Sequence, residues 1–455
     1  MNDLYDEGLI ARYGESAPRY TSYPPATEFH GQFGVTEVAR ALAERPDAPW
    51  SVYVHIPFCE SVCYYCACHK TVTKHHERAQ PYVQRLAREL ALWSAHLGAG
   101  ARLEQLHWGG GTPTFLSHDE MRTLMCALAE RFAFADDAHG EYSVEVDPRH
   151  ASDETLKVLR AIGFNRLSIG VQDFDPEVQR AIHREQSFAL VNHVVGEARA
   201  LGFRSLSVDL IYGLPRQTRG SFARTITRVL SFEPERISLF HYAHLPERFK
   251  SQRRIAAEDL PASAVKLDIL KDAIDRLLAA GYVYIGLDHF AKSADELAIA
   301  RRDGTLARNF QGYSTRGALD VLGVGASAVS RIGGVYSQNA WDLREYEALL
   351  DRETLPVRRG FELSTDDLLR REVINSLLCH MECDVRAFEA RHRLRFATYF
   401  ASELARLEPM RRDGLVEVGD RIVVTDQGQM LVRAVCAVFD RYLVARDRRR
   451  FSRVI

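Results

Sequence analysis

Residues 55–70 read HIPFCESVCYYCACHK, and four of the chain's eight cysteines (Cys59, Cys63, Cys66 and Cys68) fall inside that stretch. Thiols spaced by four, three and two residues suit a loop wrapped around a metal centre. Zinc is one reading, because Cys-x2-Cys pairs are common zinc ligands. Structural zinc usually draws its ligands from two separated pairs, and no second Cys or His pair is evident. A compact Cys-x3-Cys-x2-Cys loop instead suits one [4Fe–4S] cubane, a cluster normally held by four thiolates. Three ligands leave one iron open to bind and activate another molecule. Cys68 is then an excess thiol that needs its own role.

Such a loop must be held by rigid elements. WSVYVHIP (50–57), QLHWGGG (105–111), YSVEVDP (142–148), RLSIGVQ (166–172), SLSVDLIYG (205–213) and RISLFHYA (236–243) read as six strands. They are near-continuously apolar, as parallel strands buried on both faces should be. Between them lie helical patterns such as PYVQRLARELALWSAHL (81–97). Alternating β and α elements imply a parallel sheet with right-handed crossovers, here an α/β fold with an incomplete (β/α)6 barrel. YVYIGLDHFA (282–291) reads as one further strand. Beyond about residue 361 the pattern turns helical (STDDLLRREVINSLLCH) and ends in DGLVEVGDRIVVTDQGQMLVRAVC, a small β-ribbon followed by a helix. The division expected is an extension over the barrel mouth (1–49), a catalytic barrel (50–360) and a smaller, mostly helical C-terminal domain (361–455), with a boundary near PVRRGFEL. The cysteine loop follows strand one and GGGTP follows strand two. Glu145 and Asp147, then Gln172 and Asp173, end strands three and four, and Asp209 lies in strand five. All would gather at the C-terminal rim of the barrel, where such folds assemble active sites.

Lys and Arg number 59 against 61 Asp and Glu, a net charge of −2, so no basic field points to nucleic acid or to an anionic membrane. MNDLYDEGLIARYG lacks the apolar core of a secretory signal, and no run approaches the roughly 20 apolar residues that span a bilayer. A cytoplasmic protein with reduced thiols is expected, which makes disulfides the weak reading of the cluster. Cys379 and Cys383, one helical turn apart, read as core thiols, and Cys126 and Cys436 lie in apolar runs. His75 and His76 read as a solvated loop. RDRRRFSR (446–453) is too short and isolated to argue RNA binding.

CESVCYYC after a first strand resembles the signature of the radical S-adenosylmethionine superfamily. RYTSYPPATEF, HIPFC, the CAC after the motif, HWGGGTPTFL, VEVDPR, FNRLSIGVQDF, HREQ, DLIYGLPRQT, YAHLP, RNFQGYSTRG and the closing FSRVI narrow the likeness. Together they resemble the oxygen-independent coproporphyrinogen III oxidases (dehydrogenases) from about residue 12 to the end. Tyr65 stands where Phe is common and Ala67 where Gly is common, and neither changes the ligand set.

The resemblance implies that Cys59, Cys63 and Cys66 bind three irons, while the methionine amino and carboxylate groups of S-adenosylmethionine chelate the fourth. Cleavage of that cofactor yields a 5′-deoxyadenosyl radical. Gly110, Gly111 and Thr112 would admit its methionine part, Tyr53 and Tyr65 would pack near cluster or adenine, and Val329 would wall the adenine. Glu145 resembles the ribose-binding carboxylate, a structural ion pair being its alternative. A second S-adenosylmethionine is implied beside the first, on Tyr65, Gly111, Thr112, Gln172, Arg184, Asp209 and Ala243. Arg184 offers a fork of donors suited to a carboxylate. Cys68 would face the porphyrinogen or pack beside the cluster, and Arg19 in RYTSYP is a candidate propionate contact or lid residue.

The implied substrate, coproporphyrinogen III, carries four propionates, two of which become vinyl groups to give protoporphyrinogen IX in haem biosynthesis. No side-chain base of ordinary pKa removes the β-hydrogen at a useful rate, but a primary carbon radical does. An electron donor such as flavodoxin or ferredoxin and an electron acceptor are implied as partners, with a monomeric enzyme expected. A haem-binding chaperone of the same fold is the alternative function. Against it stand the RYTSYPP extension, Cys68, and RNFQGYSTRG in place of a His-Asn-x-x-Tyr-Trp pattern. A radical enzyme acting on RNA would add a basic module, and the charge balance offers none.

Overall fold

The computed structural model describes residues 6–443 apart from residues 15, 16 and 99. RDRRRFSR and the closing FSRVI lie outside the described residues. The chain forms two compact units. One comprises Phe29–Ala280 and Ala318–Glu362; the other gathers the chain up to Glu28, Gly281–Gly317 and the chain from Leu363. This grouping is discontinuous and differs from the linear division 1–49, 50–360 and 361–455. PVRRGFEL is itself mostly a strand, and the change of unit falls within it, between Glu362 and Leu363.

In the first unit all six expected strands form: β1 (Trp50–Ile56), β2 (Arg102–Gly110), β3 (Glu141–Val146), β4 (Arg166–Gln172), β5 (Ser205–Tyr212) and β6 (Arg236–His241). Neighbours in chain order pair in parallel from β1 to β6. The sheet then continues beyond β1, which also pairs in parallel with β7 (Asp320–Val324). Antiparallel β8 (Val329–Ile332), β9 (Val335–Asn339) and β10 (Val357–Glu362) extend it. None of these four strands was expected from the glycine-rich sequence that carries them.

Burial on both faces holds only in part: Ser51, His55 and Ser238 on the polar side are buried, while Tyr53, His107, Ser143, Glu145, Ser168, Ser207 and Asp209 are half-buried. Val52, Val54, Leu106, Trp108, Val144, Leu167, Ile169, Val208 and Leu239 fill the fully buried face, and the opposite face is polar and open only toward its middle. That face carries register rows Tyr53–His107–Ser143, Glu145–Ser168–Ser207 and Gly170–Asp209–Ser238. A sheet that leaves one side for ligands keeps the two-residue period, with its polar side facing the open volume.

In the second unit, Tyr282–Gly286 and His289–Lys292 form an antiparallel pair, not the single strand expected over 282–291. Leu287 turns the chain at φ 49°. The helix Thr365–His380 starts on a Ser364–Asp367 capping box. The expected ribbon and helix are present as Val416–Val418, Arg421–Val424 and Val432–Val438, with Glu382–Asp384 as a third strand. Phe388, Phe396, Phe400 and Phe439 pack ring against ring at its centre.

Candidate active site

The loop between β1 and the helix Ala79–Ser94 carries the cysteines, and its backbone is tied down from the β4–β5 connection and from the loop after β6. Tyr64 N–H donates to the Ile182 carbonyl at 2.9 Å, and the His183 ring bonds the Val62 carbonyl at 2.8 Å. Gln252 donates to the Tyr65 carbonyl and Ser251 to the Cys66 carbonyl, both at 2.9 Å. Lys70 Nζ reaches back to the Cys66 carbonyl at 3.1 Å.

A cavity of about 340 Å³ lies at the C-terminal rim of β1–β6, in the size range of small-molecule sites. Its wall includes Cys59, Cys63, Cys66 and Cys68, Tyr65, Gly110, Gly111 and Thr112, with Glu145, Gln172, Arg184 and Asp209. Twelve residues singled out from sequence therefore meet in one place. Tyr53, Ala243 and Val329 do not line it. Tyr53 lies behind, stacked on His107 with ring centroids 5.8 Å apart and its hydroxyl 3.0 Å from His55 Nδ1. Asp173 turns away and accepts from Thr225 and Gln217, both at 2.6 Å. Arg19 belongs to the other unit, where it pairs with Asp288 at 2.6 Å. Cys126 is exposed rather than part of an apolar core, whereas Cys379, Cys383 and Cys436 are buried.

The thiols sit among cations. Arg184 Nη1 approaches Cys63 Sγ at 3.5 Å and Arg149 Nη2 at 3.7 Å, while Thr112 Oγ1 approaches Cys59 Sγ at 3.5 Å. Burial pushes the Cys59 thiol up to about 11, against the pull of Thr112. Cys66 and Cys68 share a hydrogen bond that brings Cys66 down to about 6, helped by Lys70, and pushes Cys68 up. Among the described residues no three His, Cys, Asp or Glu side chains are grouped to hold a single metal ion. A cubane asks for a different arrangement, one thiolate at each of several separate irons.

Arg184 is less available than its sequence position suggested. Its Nη1 donates to Asp147 at 2.8 Å and its Nη2 to the Gly170 carbonyl at 2.7 Å. Burial would push Asp147 up, but Arg184 and Arg149 outweigh it and hold the carboxyl at about 2. Arg149 and Lys70 were missed by the sequence reading. Arg149 stands two residues beyond Asp147 in VEVDPR, within reach of a bidentate contact, and that spacing was the available signal.

Glu145 has a side chain 42% exposed, accepting from the Gly110 amide and facing His107 Nε2, both at 3.2 Å. Burial pushes it up, but these two partners prevail and keep it ionised. It combines the structural pair with an open edge toward the cavity. Asp209 accepts from Ser168 at 3.0 Å and is pushed up to about 6, chiefly by burial and then by the charge of Glu145. Gly110 holds φ 114°, and a Cβ there would lie 2.5 Å from the His55 ring; one on Gly111 would lie 2.6 Å from the Phe58 carbonyl oxygen. Side chains are excluded on this edge, which leaves backbone open to a ligand. Gln172 Oε1 is a buried acceptor without a donor, as a wall awaiting an amine or hydroxyl would have.

Residues 53–229 match the family model of the radical SAM superfamily, and residues 363–431 match the HemN C-terminal domain. The chain is 50% identical to an oxygen-independent coproporphyrinogen III oxidase of Pseudomonas aeruginosa, over 99% of both chains. Its identity to the protein of the same name from Escherichia coli K12 is 49%, over 99% of this chain and 98% of that one. Among solved structures it superposes on the E. coli coproporphyrinogen III oxidase described as a radical SAM enzyme, with TM-score 0.92 and 46% identity over 96% and 99% of the chains.

Proposed function

Because the chain belongs to the family of oxygen-independent coproporphyrinogen III oxidases, within the radical S-adenosylmethionine superfamily, we propose that the rim cavity is where this activity is carried out. The enzyme acts in haem biosynthesis, oxidising coproporphyrinogen III with loss of two propionate carboxyl groups. The observation that carries the site assignment is the meeting of Cys59, Cys63 and Cys66 with Gly110, Gly111 and Glu145 on one cavity wall.

The donor set fits the group. Cys59, Cys63 and Cys66 would hold the [4Fe–4S] cluster, and Arg184 and Arg149 donate toward the Cys63 sulfur. Together with S-adenosylmethionine, the cluster supplies a 5′-deoxyadenosyl radical, able to take an unactivated hydrogen. Glu145, kept ionised, accepts from the cofactor's ribose hydroxyls. Gly110 and Gly111 give its methionine part room against the backbone. Gln172, Asp209, Tyr65 and Thr112 serve a second S-adenosylmethionine, and Arg184 acts there through Asp147, its fork being already engaged. Cys68 stays off the metal and serves the substrate. Tyr53 acts from behind the wall, against His107 and His55, while Val329 is assigned to the adenine and Ala243 to the second S-adenosylmethionine.

An electron donor of the flavodoxin or ferredoxin class, an electron acceptor, a monomeric state and a cytoplasmic location complete the reading. No helix among the described residues is long and apolar enough to cross a membrane. The test is anaerobic incubation of reconstituted protein with coproporphyrinogen III, S-adenosylmethionine and a reductant. Protoporphyrin fluorescence after oxidation is expected. Its absence from protein carrying iron and sulfide would defeat the substrate assignment, and one bound zinc without sulfide would defeat the cluster.

A further inference from the structure

Three guanidiniums surround one carboxylate in the unit formed by the N-terminal segment, Gly281–Gly317 and the C-terminal region. Arg19 donates to Asp288 at 2.6 Å. Arg433, on the helix Val432–Val438, donates to the Pro18 carbonyl at 3.1 Å and to that of Ala17, so it fixes the backbone next to Arg19. Arg308 enters from the hairpin Ala307–Asn309/Gly312–Ser314 and is 6% exposed. Its Cζ lies 4.8 Å over the Tyr313 ring, while its buried Nε and Nη1 have no acceptor.

The charges act on one another. Burial would push Asp288 up, yet Arg19, His289, Arg433 and Arg308 hold it below the usual carboxylate range. Burial pushes Arg433 down to about 10, and neighbouring Arg19 and Arg308 add to the effect. Buried cations in folded proteins are paired and hydrogen-bonded. Asp288 is the carboxylate these cations share, and it accepts a hydrogen bond from Arg19. Arg308 presents two buried nitrogens, Nε and Nη1, on different edges of its guanidinium, and each can donate a charge-assisted hydrogen bond to a carboxylate oxygen. The substrate carries four carboxylates.

Resting on the function proposed above, we infer that Arg308, with Arg19 and Arg433 beside it, forms a carboxylate subsite that takes one propionate of the tetrapyrrole. Arg308 supplies the direct contact, and Arg433 is a positioning residue that seats Arg19. The subsite lies on residues distinct from those of the cysteine-lined cavity, so it is separable from cofactor binding.

The test uses the full chain, loaded anaerobically with cluster and S-adenosylmethionine. Two air-stable probes are followed by fluorescence: coproporphyrin III as the free tetra-acid and its tetramethyl ester. Wild-type protein should prefer the acid. Arg308→Gln should weaken acid binding by about tenfold or more, since a charge-assisted contact is lost. It should leave ester binding, iron content and S-adenosylmethionine affinity unchanged, and Arg308→Lys should recover part of the loss. Asp288→Asn, which removes the competing carboxylate, should bind the acid at least as tightly as wild type. It also carries the test if Arg308→Gln does not fold. Wild-type acid affinity in cluster-loaded Arg308→Gln, or weaker acid binding in Asp288→Asn, would overturn the subsite. If wild-type protein bound neither probe, the substrate reading would fall and the subsite with it.

Discussion

Cys63 and Cys379 are both buried thiols, but in different company. Cys63 sits on a loop facing a cavity, with two guanidiniums within 3.7 Å of its sulfur. Cys379 lies inside the helix Thr365–His380, where burial pushes its thiol up to about 12, as it does for Cys383 nearby. Cys436 rests against the Ile374 carbonyl at 3.7 Å, pushed up the same way. Thiol content is similar in the two units. Ligand character comes from a loop that leaves sulfur facing open volume, with hydrogen-bond donors at hand. Where the backbone is helical and the neighbours apolar, the same residue is packing.

Substitution can break that contrast most strongly at the loop. Cys59→Ser, Cys63→Ser or Cys66→Ser should each abolish cluster binding, S-adenosylmethionine cleavage and turnover together, read by iron and sulfide content and by deoxyadenosine release. A variant that kept a full cluster would remove its cysteine from the ligand set.

Cys68→Ser sharpens the comparison within the loop itself. It should keep the cluster and the electron paramagnetic resonance change on adding S-adenosylmethionine, yet lose most of the decarboxylation. Loss of the cluster would make Cys68 a fourth ligand, which leaves no iron for the cofactor.

Glu145→Ala should weaken S-adenosylmethionine binding by about 1.5–3 kcal/mol, the worth of a hydrogen bond to a charged group. An unchanged dissociation constant with the cluster intact would assign Glu145 to its His107 pair. Asp209 offers a smaller, pH-dependent effect. Its carboxyl is raised to about 6 in the folded protein, so the folded state binds a proton more readily than the unfolded one between about pH 4 and 6. The cost of its charge is absent below that window and complete above pH 6. Asp209→Asn should therefore raise the melting temperature at pH 7–8, with the gain vanishing toward pH 4. A gain that does not vary with pH would assign the effect to packing.

The smallest effect on chemistry is expected in the helical unit. Cys436→Ala should cost about 1 kcal/mol of stability through lost packing, leaving iron content and turnover per cluster unchanged. Altered cluster loading would mean that the two units do not differ as described.

The strands β1–β6 and their site-bearing ends were legible because each is a short β-branched run followed by residues that packing does not require. The paired strands at 282–292 were not, because the turn at Gly286 and Leu287 is marked by one glycine inside an otherwise apolar run, which reads as a strand interior. β7–β9 were hidden in DVLGVGASAVSRIGGVYSQN, where glycine and serine read as loop, and β10 in PVRRGFEL, which reads as a boundary. The cysteines, Glu145 and Asp209 were legible from residue type and place. That Arg184 is held by Asp147 and that Tyr53 stands behind the wall depend on side-chain directions, which spacing does not encode.

The ligand loop is held at Val62, Tyr64, Tyr65 and Cys66 by groups of the protein itself. Such a loop keeps its shape through the loss of an oxygen-labile centre, because the bonds that order it do not pass through metal. The entropy of arranging three ligands is then met at folding, once, and not again at each loading. An enzyme built this way is a durable socket for a perishable part, and air-exposed chain is expected to take a new cluster from added iron and sulfide under anaerobic, reducing conditions without being unfolded first.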